Sequence, residues 1–357
     1  MSASHFRRAT GRAARGLRAC LLLAGTALAS ALPPTAATAS GELNLYSSRH
    51  YDTDERLYSD FTEQTGIRIN RIEGNADEMI ERMRAEGANS PADVLLTVDT
   101  SRLERAKAAG LLQPVDSAVL EERIPANLQD ADDQWFGFSR RARIAFYDPD
   151  EVSEPPATYL DLADPRFEGQ VCIRSSTNVY NQTLLAAIIE AHGEDAAREW
   201  AQGVVANFAR DPQGGDTDQL KGLVSGECGL AVANTYYFAR ALRTEVEGLG
   251  EAEREGIAWT FPRMDEAKGT HVNLSGAGVA ANAPNRDNAV AFLEYLASDQ
   301  AQQYFSAGND EYPAVEGVPI AESVAALGDL DPDPSDLSAI AEHIADAQRI
   351  FAEVGWE

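Results

Sequence analysis

The sequence predicts an α/β fold with two lobes, and three observations lead to this prediction. The chain has 357 residues, of which 44% are apolar and 24% charged, so it can form two globular domains of ordinary size. From residue 42 onward, short strand-like runs alternate with helix-like segments, which is typical of helices covering a largely parallel sheet. Extended runs at 135–147 and 255–285 interrupt this alternation, and they predict two crossovers between lobes.

The first lobe is predicted from a series of strand and helix units. LNLYS (43–47) alternates as a strand, and DTDERLYSDFTEQTG (52–66) predicts a helix with one apolar face and Gly66 as its stop. The runs IRINRIE, ADEMIERMRAEG and ADVLLTVD then predict a strand, a helix and a further strand.

The second lobe is predicted from GQVCIRSS, one long helix over 183–204 and the run GECGLAVANTYY. A single helix over 285–308 and a last helix after the acidic loop DLDPDPSD complete the chain. We assign 40–140 and 268–317 to lobe one, and 141–267 and 318–357 to lobe two. Because ligands of open α/β sheets bind beyond the carboxyl ends of strands, we expect the ligand to lie between the lobes.

The first 39 residues have the pattern of a secretory signal peptide. Five arginines precede the apolar run 20–32, and Ala37-Thr38-Ala39 offers a small-residue cleavage site. That run of 13 residues is shorter than the roughly 20 residues that a membrane-spanning helix needs. We expect cleavage near Ala39, export to the periplasm by either the Sec or the twin-arginine route, and no membrane insertion of the mature chain.

The charge balance excludes two classes of partner. The first 39 residues carry five Arg and no acidic residue, so the rest of the chain has 25 basic against 57 acidic residues, a formal charge of −32. Such a chain repels nucleic acid and anionic membranes. The acidic residues are spread along the whole sequence, which favours a solubilising surface over a store of cations.

Motifs of common enzymes are absent from the sequence. It contains no G-x-S-x-G, H-E-x-x-H, C-x-x-C, Walker or G-x-G-x-x-G pattern, so a hydrolase is not predicted. Asp329, Asp331 and Asp333 have the alternate spacing of a calcium loop, but prolines occupy positions 332 and 334 and no glycine supplies the sharp turn, so we expect a surface loop rather than a calcium site. The glycine-rich run 212–220 could cradle an anion, but Asp216 or Thr217 as the cap of the following helix explains it at least as well.

Two cysteines follow the signal peptide, Cys172 and Cys228, each in a short strand-like run. An oxidising compartment would let them pair, provided that their strands are neighbours.

Four tyrosines follow the ends of predicted strands: Tyr51, Tyr180, Tyr236 and Tyr237. The carboxyl ends of strands meet at the ligand edge of such a sheet, so these side chains should converge. As aromatic walls they would stack on a sugar or enclose a quaternary amine. As phenolates they would bind a hard cation such as ferric iron, with His50 as a fifth donor.

The charge of such a metal site requires a neighbouring cation. Four phenolates around a trivalent ion leave one excess negative charge, which is costly to bury alone. Arg49 and Arg141 are the candidates for this role, and either could instead bind an anion such as carbonate that completes the metal shell.

Four segments carry a resemblance to a known family. They are LYSSRHYDTDERLYSDFTEQTG (45–66), CIRSSTNVYNQTL (172–184), QGGDTDQLKGLVSGECGLAVANTYYFAR (213–240) and NDEYPAV (309–315). In this order they resemble the periplasmic ferric-iron-binding proteins that feed iron-uptake ABC transporters. The resemblance implies a two-lobed type 2 periplasmic binding protein fold, each lobe a mixed sheet flanked by helices and joined to the other by extended hinge strands.

The resemblance also implies a ligand set and a role. Tyr51, Tyr180, Tyr236 and Tyr237 match the iron-binding tyrosines, whereas His50 matches a position that binds iron in some members only. Glu73 and Asp77 match positions of acidic contributors.

The implied protein is a non-enzymatic, monomeric carrier that closes on Fe(III), with carbonate or water completing the shell, and delivers it to an inner-membrane permease. A carrier of another solute on the same fold, such as a sugar or polyamine, and an exported hydrolase using His50 are the alternatives.

Overall fold

The structure is a computed structural model, and it describes residues 41–49, 51 and 53–357. The predicted signal peptide, its cleavage site near Ala39 and the candidate ligand His50 lie outside the described residues. The strands are β1 Gly41–Ser47, β2 Ile67–Glu73, β3 Val94–Thr97, β4 Leu112–Gln113, β5 Phe136–Tyr147, β6 Val171–Cys172, β7 Leu230–Asn234, β8 Ala258–Thr260, β9 Val272–Ala280 and β10 Tyr312–Pro313.

Helices flank these strands on the described part of the chain. They are α1 Asp54–Thr65, α2 Ala76–Glu86, α3 Thr100–Ala108, α4 Ala118–Arg123, α5 Val179–His192, α6 Glu194–Ala206, α7 Asp216–Val224, α8 Thr235–Arg243, α9 Glu251–Arg254, α10 Arg286–Leu296, α11 Asp299–Asn309, α12 Glu322–Ala325, α13 Leu337–Glu342 and α14 Ile344–Val354.

The strands form a mixed sheet in the order β2-β1-β3-β9-β5-β7-β6, with β4 beside β9, and β8 and β10 beside β5. Strands β1, β2 and β3 run parallel, as do β6 and β7, whereas β9 runs antiparallel to both β3 and β5. This arrangement confirms the predicted mixed sheet flanked by helices.

Strand β5 joins two halves of the sheet. Its residues 136–142 pair with β9, its residues 143–147 pair with β7, and residues 145–147 also pair with β8. Residues 136–147 of the run WFGFSRRARIAFY therefore form a single strand, and the role of this run as a crossover between lobes stays a prediction. The division into lobes at residues 140 and 268 stays a prediction, because residue 140 falls inside this shared strand.

Three helix predictions are wrong in their continuity. The helix predicted over 183–204 is two helices, because Gly193 at φ 84° ends α5 and precedes α6. The helix predicted over 285–308 is also two, since the Ser298 side chain accepts a hydrogen bond from the Ala301 N–H and starts α11. The last predicted helix is divided at His343 into α13 and α14.

The predicted cap of the helix after the glycine-rich run is also wrong. The N-cap of α7 is Gly215, and its N–H donates to the carboxylate of Asp218 at 2.7 Å. Asp216 lies one position inside the helix and is buried, where it accepts a hydrogen bond from the Asn234 N–H at 2.9 Å. This contact ties α7 to the end of β7.

A disulfide joins Cys172, the last residue of β6, to Cys228, which stands two residues before β7. Their Cα atoms are 5.8 Å apart, and β6 pairs in parallel with β7. The two strands are thus neighbours, which is the condition under which the sequence allowed a disulfide between these cysteines.

The acidic loop lies only partly at the surface, because Asp329 and Asp331 are exposed whereas Asp333 is buried and its N–H donates to the Thr270 carbonyl at 2.8 Å. Asp331 pairs with Arg263 at 2.7 Å, and nowhere in the described part of the chain do three or more His, Cys, Asp or Glu side chains gather as a metal site. Among the same residues, no helix combines the length and apolar character needed to cross a membrane.

A buried histidine precedes β9 next to the shared strand. The backbone N–H of His271 donates to the Tyr159 hydroxyl at 3.1 Å, and that hydroxyl donates to the backbone carbonyl of Arg143 at 2.7 Å. Burial, together with the guanidinium of Arg143, lowers the pKa of His271 from 6.5 to about 4, although Asp99 opposes this shift. The folded protein therefore contains His271 as a neutral imidazole.

This histidine predicts a loss of stability on acidification. Between pH 6.5 and about 4, His271 is protonated in the unfolded chain but stays neutral in the folded chain. Stability therefore falls as pH falls through this window. The full effect is about 3 kcal/mol. Urea unfolding across this range should give a shallower pH dependence for His271→Gln than for the wild type. His343→Gln controls for the loss of a surface imidazole, and parallel curves for His271→Gln and the wild type would contradict the prediction.

Candidate metal centre

Tyr51 lies in the short segment between β1 and α1. Its carbonyl accepts a hydrogen bond from the Asp54 N–H at 2.9 Å, which closes the turn into α1. Its half-buried ring lies 4.9 Å from the guanidinium carbon of Arg49. The end of a buried parallel strand thus places this phenol at the edge of the sheet, as expected from the sequence.

Tyr180 lies in the first turn of α5 and is buried. The side chain of Asn178 accepts a hydrogen bond from the Asn181 N–H and thereby caps the helix. The helix therefore begins one residue before the tyrosine, and Tyr180 lies at the N-terminal end of α5, the helix that follows β6.

Tyr236 and Tyr237 lie in the first turn of α8, directly after β7 ends at Asn234. Their rings stack with centroids 4.2 Å apart and an angle of 29° between planes. Two adjacent bulky residues would point to opposite faces of a strand. The change from strand to helix at residue 235 therefore explains how both rings lie on the same side.

The structure brings the four predicted tyrosines together. The hydroxyl oxygens of Tyr180 and Tyr236 are 3.4 Å apart, and the rings of Tyr51 and Tyr236 meet edge to face with centroids 6.5 Å apart. Tyr51 follows β1 in one half of the sheet, whereas the other three follow β6 and β7 in the other half. The phenols thus converge from both halves of the molecule.

Burial raises the pKa of all four phenols above the ordinary value of 10. Mutual repulsion adds to the effect, because the Tyr180 phenolate would raise the pKa values of Tyr51 and Tyr236 further. Without a cation the cluster therefore holds neutral phenols. A hard cation of high charge at this point would displace their protons.

Arg49, the first predicted cation, is buried and engaged by two carboxylates. Its Nε and Nη2 donate to Asp54 at 2.9 and 3.1 Å. Its Nη1 donates to Ser275 at 2.5 Å and to Glu311 at 3.3 Å. These contacts hold Arg49 in place beside Tyr51 and leave little capacity for a bound anion.

Arg141, the second predicted cation, is also buried and shares the same acid. Its Nη2 donates to Glu311 at 2.8 Å, and its Nη1 donates to the Val98 carbonyl at 2.5 Å. Its Nε is buried and has no hydrogen-bond partner among the described residues. The guanidinium carbon lies 6.0 Å from the ring centroid of Tyr236, so this group remains a candidate for contact with a phenolate or an anion.

Glu311 is a site residue that the sequence analysis missed. Burial alone would raise its pKa, but the guanidinium groups of Arg141 and Arg49 outweigh burial and hold that pKa below its ordinary value. The Ser139 hydroxyl donates to the same carboxylate at 2.7 Å. Together with Asp54, this ionised acid balances the charges of the two arginines.

Arg240 is a second residue that the sequence analysis missed. Its guanidinium carbon lies 5.9, 5.6 and 5.9 Å from the ring centroids of Tyr51, Tyr236 and Tyr237. It pairs with no carboxylate of the described residues. The sequence contained the signal, since Arg240 stands four positions after Tyr236 and therefore shares its face of α8.

The two candidate acidic contributors are engaged elsewhere. Glu73 pairs with Arg71 at 3.2 Å, and Asp77 pairs with Arg102 at 3.1 Å and Arg105 at 2.7 Å. Each carboxylate is thus held by an arginine, and the structure brings neither to the tyrosines.

Comparison with solved structures shows the same fold in iron-binding proteins. The FutA (IdiA) protein of Trichodesmium, solved with iron and citrate ligands, superposes with a TM-score of 0.84 at 49% identity, covering 89% of this chain and 100% of that one. A ferric binding protein from Campylobacter jejuni gives a TM-score of 0.83 at 39% identity, covering 88% and 100%.

Sequence comparison gives the same result. The family model for bacterial extracellular solute-binding proteins matches residues 89–330. Iron uptake protein A1 of Synechocystis sp. (strain ATCC 27184 / PCC 6803 / Kazusa) is 50% identical over 317 residues, covering 88% of each chain. Iron uptake protein A2 of the same organism is 48% identical over 346 residues, covering 95% of this chain and 98% of its own length.

The buried network around Glu311 predicts a large effect of one neutral substitution. Glu311→Gln removes the charge that Arg49 and Arg141 share, so it should lower the free energy of unfolding by about 3–5 kcal/mol. Denaturant titration of the iron-free protein measures this. The surface variant Glu353→Gln, which removes two solvent-exposed ion pairs, should change stability little. Similar losses for both variants would contradict this role of Glu311.

Proposed function

The chain belongs to the bacterial extracellular solute-binding proteins, and on this premise we propose that it captures Fe(III) in the periplasm and delivers it to an ABC uptake transporter. The family consists of solute-binding proteins rather than enzymes. The single observation that carries the proposal is the convergence of four phenols, two buried and two half-buried, from the two halves of the sheet.

The donor chemistry favours ferric iron over softer or larger cations. Phenolate oxygens are hard anionic ligands, and only a strongly charged cation compensates the cost of ionising phenols whose pKa values burial has raised. We propose Tyr51, Tyr180, Tyr236 and Tyr237 as the ligands. His50 stays a candidate fifth donor, and carbonate or water would complete the shell.

The charge balance of the loaded site follows from the arginines around it. Four phenolates and Fe(III) leave one negative charge in excess, while Arg49 and Arg141 are neutralised by Asp54 and Glu311. Arg240 brings the further positive charge, because it lies within 6 Å of three of the rings. The loaded centre would then be close to neutral.

Capture and release follow from the division of the ligands. Tyr180, Tyr236 and Tyr237 follow neighbouring strands, so they would remain together if the lobes separate, and closure would add Tyr51. Reopening at the permease removes one ligand and admits water, which lowers affinity. In this proposal the carrier acts as a monomer after cleavage near Ala39.

Paired tyrosine substitutions test the ligand set. Tyr236→Phe with Tyr237→Phe removes two phenolates but keeps both rings, so the protein should fold and lose most of its affinity for Fe(III). The wild type loaded with ferric citrate should be purple to orange from phenolate-to-iron charge transfer, and the double variant should lose most of this absorption. Iron content after gel filtration and a visible spectrum measure both results.

Tyr147→Phe is the matched control, since Tyr147 lies six residues beyond Arg141 on β5. This variant should keep the colour and the iron content of the wild type. A colourless wild type after loading, or a double variant that binds iron as well as the control, would refute the proposed ligands.

A further inference from the structure

Three consecutive polar side chains are buried at the end of α11: Asn309, Asp310 and Glu311. Each binds different side chains, and we call them the 309–311 clamp. Glu311 binds the two arginines described above. Asn309 donates to Asp54 at 2.8 Å and accepts a hydrogen bond from the Thr53 hydroxyl, so it fixes the turn that follows Tyr51.

Asp310, the middle residue of the clamp, holds the far end of α8. Arg243 donates to its carboxylate from Nε at 2.9 Å and from Nη2 at 2.8 Å, and Nη2 also donates to the Gly308 carbonyl at 3.0 Å. The Ser323 hydroxyl donates to the same carboxylate at 2.7 Å. Asp310 is fully buried, whereas about a third of the Arg243 side chain is exposed.

The backbone at Asp310 has an unusual conformation that suits this role. Its φ is 60°, and Asp133 is the only other non-glycine with positive φ in the part of the chain that the structure describes. This left-handed turn ends α11 and directs successive side chains of the clamp toward different elements. Such a conformation costs of order 1 kcal/mol for a residue other than glycine, so the contacts of Asp310 must offset it.

We propose that Asp310, acting through Arg243, is a positioning residue that sets Tyr236 and Tyr237 relative to Tyr51 for iron binding. The proposal rests on the proposed function. It concerns residues that would not touch the metal and that the four-tyrosine ligand set does not include.

Helix α8 is short, and in addition to the packing of its buried residues Phe238, Ala239 and Ala241 it is held by polar contacts at its two ends. It has nine residues and is about 13 Å long, with the tyrosine pair in its first turn and Arg243 as its last residue. Its start is fixed by Asp216, which accepts from the Asn234 N–H, and its end is fixed by Asp310. If the second contact is lost, the helix can tilt about the first, and the phenols move.

The bidentate contact between Arg243 and Asp310 also constrains the direction of the Arg243 side chain. The guanidinium of Arg243 presents two N–H groups in a rigid plane to both oxygens of Asp310, so it defines an angle as well as a distance. The same clamp holds Thr53 and Asp54 beside Tyr51 through Asn309. One tripeptide thus connects the segments that carry three of the four proposed ligands.

The experiment uses the full mature chain loaded with ferric citrate and measures the rate of iron loss to excess EDTA from the decay of the charge-transfer band. Asp310→Asn and Arg243→Gln should each release iron at least about tenfold faster than the wild type, which is typical of residues that orient metal ligands. The double variant should be no worse than either single variant, because both substitutions remove the same contact. Arg243→Lys, which keeps the charge but loses the fork, should fall between wild type and Arg243→Gln.

Asp130→Asn is the matched control for loss of a buried, paired carboxylate. Asp130 is buried, pairs with Lys107 and accepts from the Gln134 N–H at 3.1 Å, and it contacts none of the four tyrosines. This variant should lose stability but release iron at the wild-type rate. If Asp310→Asn does not fold, Arg243→Gln decides the question, since its partly exposed side chain tolerates substitution.

Two results would overturn the positioning role while leaving the proposed function intact. One is wild-type release rates in both Asp310→Asn and Arg243→Gln. The other is an equal acceleration in Asp130→Asn, which would attribute the effect to stability alone. A wild type that binds no iron would instead refute the proposed function itself, so the two failures are distinguishable.

Discussion

The site depends on a buried ion network in which Glu311 is shared by Arg49 and Arg141. A buried charge is costly unless it is paired, so each of these three residues requires the others to be in place. Arg49 belongs to the loop after β1, Arg141 to β5 and Glu311 to the segment after α11. The network therefore fixes three distant segments to one point, and the loop that carries Tyr51 is one of them.

The phenols themselves face an opposite constraint. The ion network beside them is neutral, whereas the four tyrosines are buried or half-buried, uncharged and close enough to repel one another once ionised. The protein thus holds a cluster that is stable when protonated and gains its charge only with a cation. This arrangement keeps the empty site intact without burying excess charge.

Much of this site could be predicted from the ends of the predicted strands, and the site residues that were not predicted were missed for physical reasons. The tyrosines could be found because β1, β6 and β7 are short buried runs whose carboxyl ends meet at one edge. The place of Arg240 in the site could also be predicted from the sequence, because Arg240 stands four residues, about one helical turn, after Tyr236. The role of Glu311 could not be predicted, because Glu311 stands 262 positions from Arg49 and only the folded chain brings the two residues together. The prediction of one continuous helix was wrong at Gly193, because the apolar pattern continues on both sides of this single glycine.

The adjacent tyrosines illustrate how secondary structure determines ligand geometry. In a strand, Tyr236 and Tyr237 would face opposite sides, and one phenol would be lost to the site. At the start of a helix their side chains diverge by about 100° around the axis, and the two rings stack on each other. The price is that two proposed ligands share one short helix, so any tilt of α8 moves both together. A site built this way requires its helix to be held at both ends, which is what Asp216 and Asp310 provide.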